Sequence, residues 1–342
     1  MHLLLFTIDG ASLLWKNESV YFEYRNFSSL DNLEGTTSMR KNVAADLVLL
    51  GVTFSWGATF VLVKEAVDKM PPFTFLGVRF LFAALILGLI MVLFFRDTVK
   101  GMTKQLWVVG SWIGLLLFGG YALQTFGLLY TTASNAGFIT GLSVVMVPIF
   151  AYWFLRQRLK RNAVIGVIVA TIGLAFLSLT QFQVNLGDLL VFFCAICYGL
   201  HIICIGKYTT RFHALPFAFV QILSCGLFNM IGGFLFEDVS ASFSADVLFD
   251  LTVFSALLIC SVIATAFAFV AQNQFQKFTT PTRTALIFAM EPVFAALTGY
   301  LWAGDRLGTL QVIGCLCILG GMLIAELGGG QEEVGQKDTS YA

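Results

Sequence analysis

Polar residues punctuate this chain so as to leave ten long apolar stretches between them. They run approximately over 43–63, 73–95, 106–129, 133–154, 162–180, 187–206, 215–236, 251–275, 284–303 and 308–326. A helix rises 1.5 Å per residue, so about 20 apolar residues cross the hydrocarbon core of a bilayer. Each stretch is near that length. None shows the two-residue alternation in roughly ten-residue units of a membrane β-strand. The breaks are chemically marked. Met70-Pro71-Pro72 separates the first two stretches; proline cannot continue a helix and pushes the preceding residue away from α geometry. Tyr130-Thr131-Thr132 forms a short uncharged turn between the third and fourth. The pattern predicts an all-α membrane protein with ten transmembrane helices.

Composition agrees and excludes alternatives. Of 342 residues, 58% are hydrophobic and 12% charged, and the mean hydropathy is +0.85. A soluble domain carries roughly 25% charged residues. Twenty Lys+Arg and twenty Asp+Glu cannot cover a water-facing surface of this size, which argues against a soluble enzyme, a nucleic-acid binder and a disordered chain. The expected partners are the lipid bilayer and a small-molecule substrate, with protons as a candidate coupling ion, and the chain is expected as a monomer or homodimer. The seven cysteines all lie in apolar stretches and read as small hydrophobes rather than staples or zinc ligands. Cys197, His201 and Cys204 share a helix face at i, i+4, i+7 spacing, yet three groups on one helix without a fourth do not make a soft-metal site. No metal or other cofactor is expected. The apolar run before Asp9 is six residues long, too short for a signal-peptide core of about 7–15.

Loop charge sets the orientation. Arg40, Lys41, Arg96, Lys100, Lys104, Arg156, Arg158, Lys160, Arg161, Lys207, Arg211, Lys277 and Arg283 fall on one side of the predicted membrane. Lys64, Lys69 and Arg306 fall on the other, with most of the loop acids. The excess of basic residues marks the cytoplasmic side, so both termini are expected in the cytoplasm of a multi-pass cell-membrane protein. Residues 1–42 are polar and mixed and read as a disordered tail or, up to residue 38, as sequence upstream of a natural start at Met39. Residues 327–342 also read as disordered. A chain starting at Met39 is expected to insert and transport as the full chain does; loss of transport at normal membrane levels would give the tail a function.

The chain also resembles itself. At an offset of 142, Asp46 meets Asp188, Trp56 meets Tyr198, Gly57 meets Gly199, Phe75 meets Phe217 and Arg79 meets Gln221. At 148, Thr131-Thr132 meets Thr279-Thr280, Gly166 meets Gly314 and Gly173 meets Gly321. Pro148 meets Pro292 at 144, one turn out of phase. Helices 1–5 (43–180) therefore correspond to helices 6–10 (187–326). Five is odd, so the second copy enters the membrane inverted. Inverted repeats are a common construction of alternating-access carriers, with the site near the midplane between the halves.

FSWGATFVLVKEAV followed by PPFTFLGVRFLFAALIL resembles the first two helices of EamA-type carriers of the drug/metabolite transporter superfamily. LQTFGLLYTTASNAGFITGLSVVMVPIFAYWFLRQRLKR is similar to that family's third-to-fourth helix hairpin, and ALIFAMEPVFAALTGYLWAGDRL to its ninth helix. The likeness covers about 43–326; Asp305 departs from the family's usual Glu. It implies two EamA repeats and the movement of small metabolites or drug-like molecules, here read as export.

Ionisable groups inside a membrane are costly and are candidates for function by default. Glu291 lies about eight residues into the ninth stretch, roughly 12 Å deep at 1.5 Å per residue. Pro292 follows it and should free a carbonyl near Ile287-Phe288. Arg79 lies inside the second stretch, able to bind an anionic group, to pair with a carboxylate such as Glu291, or to reach the interface. Trp56 and Tyr198, each followed by Gly, form a symmetric aromatic pair. Gln124, Asn135, Gln272 and Asn273 are neutral polar groups suited to interhelical hydrogen bonds. Glu291, Arg79, Trp56, Tyr198, His201, Gln124, Asn135 and Gln272 are the candidate substrate-binding residues. HExxH, GxSxG and P-loop motifs are absent from the sequence, which favours a secondary transporter over the alternative, a membrane-embedded lipid-handling scaffold or enzyme.

Overall fold

A computed structural model describes residues 34–131, 133–157, 160–178, 185–303 and 308–327. The expectations for residues 1–33 and 328–342, and for Arg158, Asp305 and Arg306, lie outside the described residues. Among those described, regular structure is wholly helical. The longer helices are α1 (Glu34–Val67), α2 (Pro72–Phe94), α3 (Lys104–Leu128), α4 (Ala133–Gly141), α5 (Ser143–Leu155), α6 (Arg161–Ser178), α7 (Leu186–Tyr208) and α8 (Ala214–Phe236). They continue as α9 (Leu251–Phe278), α10 (Pro281–Phe288), α11 (Glu291–Thr298) and α12 (Thr309–Leu327). Seven helical runs are long and apolar enough to cross a membrane, the seventh being Pro281–Leu301, which joins α10 and α11. Three further apolar helices are shorter: Ile139–Leu155, Arg161–Phe176 and Thr309–Ala325. Phe234, Leu235, Phe236, Trp112 and Trp153 lie at least 60% exposed, a surface that suits lipid and not water.

Two predicted helices are broken. The fourth is interrupted at Leu142 and the ninth at Ala289-Met290. The restart residues Ser143 and Glu291 are 148 apart, the offset of the sequence repeat. This corrects the reading of Pro292. The helix has already ended at Phe288 and restarts at Glu291, so Pro292 sits in the first turn of α11, where its missing N–H is no loss. Pro148 instead lies inside α5, so the two prolines are not structural equivalents.

The helices pack in matched pairs. α2 packs on α8, and α6 on α12; α1 packs on α11 and on α9, while α7 packs on α5 and on α3. Exchanging the two halves maps the first two pairings onto themselves and turns α1–α11 into α7–α5 and α1–α9 into α7–α3. The α6–α12 seam is built on glycine: a Cβ at Gly166 would lie 2.5 Å from the Gly321 carbonyl oxygen, and one at Gly173 2.6 Å from that of Gly314. With no apolar–aqueous difference to drive helices together in lipid, such backbone approach is a main source of association. Gly57 is similarly close to Glu291 O (2.6 Å) and Gly199 to the Phe150 ring (3.1 Å).

Carboxylates hold the ends. α2 has no side-chain cap of its own. Glu237 supplies one from the end of α8, accepting from Phe73 N and Thr74 N, both at 2.8 Å, and from Thr74 Oγ1 at 2.7 Å. Lys69 and Asp250 pair at 2.7 Å on the same end. On the opposite end Arg283 pairs with Asp46 at 2.5 Å. Asp46's repeat partner Asp188 accepts from Thr131 at 2.5 Å and caps α7 with Asn185.

Candidate functional site

A cavity of about 610 Å³ lies between the halves. Its mouth carries Lys64, Glu65 and Asp68, which are exposed. Seven of the eight candidate residues line it: Glu291, Arg79, Trp56, Tyr198, His201, Gln124 and Gln272. Asn135 falls on α4, but its side chain lies outside the described residues.

The π turn Val262–Phe267 in α9 organises one wall. A π turn opens the i→i−4 ladder and frees backbone and side-chain groups for other partners. Here Trp56 Nε1–H donates to the Ala264 carbonyl at 2.8 Å, and Arg79 Nε–H donates to Thr265 Oγ1 at 2.9 Å. With its polar end engaged, Trp56 turns its rings to Phe288 and Phe269, at 5.0 and 5.6 Å between centroids. Arg79 is 3% exposed, so it does not reach an interface. Its guanidinium carbon lies 5.1 Å from the Tyr121 ring centre and 5.4 Å from that of Phe80, within cation–π range.

Tyr198 donates to Gln124 Oε1 at 3.3 Å, and Gln124 Nε2 donates to Thr140 Oγ1 at 3.1 Å. Trp56 and Tyr198 thus each bond across to the other half, on α9 and α3, though at positions that the repeat does not match. At the far end from the mouth, Gln272 Nε2 donates to Gln276 Oε1 at 3.1 Å, and Gln276 Nε2 to the Ile202 carbonyl at 2.7 Å. Gln221 Nε2 bonds Asn273 Oδ1 at 3.2 Å, and Thr209 donates to the Asn273 carbonyl. His201 is buried 6.0 Å from Phe269, and its Nε2 and Gln272 Oε1 have no protein partner among the described residues. Arg79 and Glu291 both line the cavity yet form no ion pair with each other or with any described residue.

Tyr121, Phe269, Phe288, Thr265 and Ser143 were not singled out from sequence. Tyr121 and Phe269 are 148 apart, as are Gln124 and Gln272, so the repeat offset already carried that signal. Thr265 had none, because a threonine in an apolar run is ordinary.

The family model described as EamA-like transporter family matches residues 43–179 and 185–326. An uncharacterized transporter of Archaeoglobus fulgidus is 36% identical over 288 residues, covering 84% of this chain and 87% of its own. The uncharacterized transporter YyaM of Bacillus subtilis is 26% identical over 294 residues, covering 83% and 94%. One solved protein structure superposes with a TM-score of 0.69 at 19% identity, covering 83% of this chain and 97% of that one; this likeness speaks to fold alone. Two family matches that together span most of the chain, over apolar helices enclosing a polar cavity, establish that the chain belongs to the EamA-like transporter family and is a multi-pass membrane transporter.

Proposed function

We propose that the chain is a secondary transporter with ten transmembrane helices in two inverted five-helix repeats. It moves a small metabolite or drug-like molecule across the cytoplasmic membrane by alternating access, in the direction of export. The observation that carries this reading is an asymmetry between equivalent residues. Val63, Thr125, Leu128 and Gly137 line the cavity on the mouth side. Their repeat partners at offsets 142 and 148 are Ile205, Asn273, Gln276 and Ala285. These do not reach the cavity and are at most 1% exposed. Two inverted halves that exchange conformations would seal the first set and open the second. The cavity volume also fits the roughly 300–1,000 Å³ of small-molecule sites.

Saturable counterflow of a labelled small molecule in proteoliposomes tests the reading. Release of a chemically altered product would reject it in favour of an enzyme.

By the loop charges, the mouth faces away from the cytoplasm. Reporter fusions after Ala342 and within 237–250 are expected to read inside and outside respectively. The reverse pattern would overturn the topology and the direction assigned to the mouth.

A further inference from the structure

We infer that Asp46 is a positioning residue of the transport cycle: it bars the sealed end of the protein by pairing with Arg283, and transfers to Thr279 when that end opens. The inference rests on the alternating-access reading and names side chains that set the resting state. Asp46 and Asp188 are equivalent at offset 142; Thr131 and Thr279, and Asn135 and Arg283, are equivalent at offset 148. The two ends use different members of this set. At the open end Asp188 accepts from Thr131 Oγ1 at 2.5 Å. At the sealed end Asp46 accepts instead from Arg283 Nη2 at 2.5 Å, in an ion pair whose side chains are only 16% and 19% exposed. Thr279 Oγ1, the counterpart of the hydroxyl that Asp188 uses, is buried and has no partner among the described residues.

A buried hydroxyl without a partner costs free energy, and exchange of conformations between inverted halves supplies a state that uses it. The sealed end would take the arrangement now seen at the open end, with Asp46 accepting from Thr279. The outer end, once closed, would bring Asp188 to Asn135. The step is short. Thr279 and Arg283 are four residues apart at the start of α10, which Thr280 caps, and α1 packs on both α10 and the preceding Gln276–Phe278 turn. A slide of α1 along α10 on the order of one helical turn, about 5.4 Å, exchanges the partners. The two seals are unequal. Arg283 brings a full charge to Asp46, whereas position 135 holds a neutral amide. Hydrogen bonds between two charged groups are the stronger kind, so the protein rests with the Asp46 end closed, as the structure has it.

The test reads labelling at two equivalent positions, Val63 on the open cavity and the fully buried Ile205. Each carries a single substitution, Val63→Cys or Ile205→Cys, in the full chain with its seven native cysteines replaced by alanine. A membrane-impermeant maleimide is added from either side of the membrane. Asp46→Asn and Arg283→Gln are each expected to raise the ratio of labelling at 205 to labelling at 63 at least about threefold, the factor for an ion pair of modest strength. The exchange variant, Asp46→Arg with Arg283→Asp, is expected to return the ratio towards wild type. Thr279→Val keeps the shape and removes the unpartnered hydroxyl. It is expected to lower the ratio and the transport rate without lowering the melting temperature, which a purely structural role would not do. Thr131→Val is expected to raise the ratio. An unchanged ratio in Arg283→Gln or in Thr279→Val, at wild-type melting, overturns the inference. If a single variant melts early, the exchange variant decides: folded but with a ratio far from wild type, it also overturns the inference. Labelling at 205 that responds to none of these changes, with counterflow intact, upholds alternating access and rejects the role of Asp46. No labelling at 205 in any variant, and no counterflow, rejects both.

Discussion

Replacing Glu291 by glutamine is expected to lower net flux of the transported molecule roughly 10- to 150-fold, with normal amounts of protein in the membrane. The factor follows from losing the charge-assisted character of the carboxylate's contact with the transported molecule, worth about 1.5–3 kcal/mol. Glutamine keeps the volume and the hydrogen-bonding capacity but removes the charge. Glu291 stands at the first position of α11, where the amide ends of a helix favour a carboxylate. It also lines the cavity, and among the described residues no donor bonds it that the change would leave unpaired. Folding should therefore survive, and the loss should appear in transport. Exchange is expected to be retained better than net flux if Glu291 also carries the coupling proton. Glu291→Ala is a poorer test, because it opens space beside the close α1–α11 contact at Gly57. Wild-type flux with wild-type pH dependence in Glu291→Gln would assign Glu291 a structural role and move the site to Arg79 and the Trp56–Tyr198 pair.

Gly173→Val is expected to have the largest effect on stability. The first added atom alone would lie 2.6 Å from Gly314 O, 2.7 Å from Ile318 N and 2.8 Å from Cys317 Cβ. Two of these are backbone atoms and cannot swing aside. Overpacking a close contact costs about 1–3 kcal/mol or more, so the melting temperature and the yield of folded protein should both fall. Gly320→Ala is the control on the partner helix α12, since none of the described residues lies within 4 Å of its added Cβ. Gly166→Ala and Gly321→Ala strain one contact from its two sides. Their combined cost should be well below the sum of the single costs. Equal melting of Gly173→Val and Gly320→Ala would show that the α6–α12 seam is not close-packed in the membrane.

The glycine pairs illustrate how far sequence alone could go. Self-comparison aligned Gly166 with Gly314 and Gly173 with Gly321. In the fold the contacts are crossed, Gly166 with Gly321 and Gly173 with Gly314. Equivalent residues in two antiparallel helices meet their partner's partner, so the offset was legible but the contact was not. The same holds for Trp56 and Tyr198. Their equivalence was readable, whereas the Ala264 carbonyl and Gln124 amide that orient them come from helices remote in sequence. The break before Glu291 was anticipated from Pro292 but misplaced, because proline identity marks a boundary without saying which side of it the helix ends on.

Apolar length, loop charge and the internal offset are local or one-dimensional properties, and with the intramembrane polar and aromatic residues they gave the all-helical membrane class, the expected orientation and seven residues that line the cavity. A bilayer permits few spanning structures, since every backbone polar group must be satisfied within the segment; sequence is therefore unusually informative about class. Tertiary structure decided what depends on distance between helices. It placed Arg79 on the π turn through Thr265, left it apart from Glu291 in a shared cavity, and sealed Gln276 against Ile202 while the equivalent Leu128 lines the open side. Those outcomes turn on helix packing at the scale of single ångströms, where close-packed side chains admit one arrangement or another and the order of residues along the chain carries no such distance.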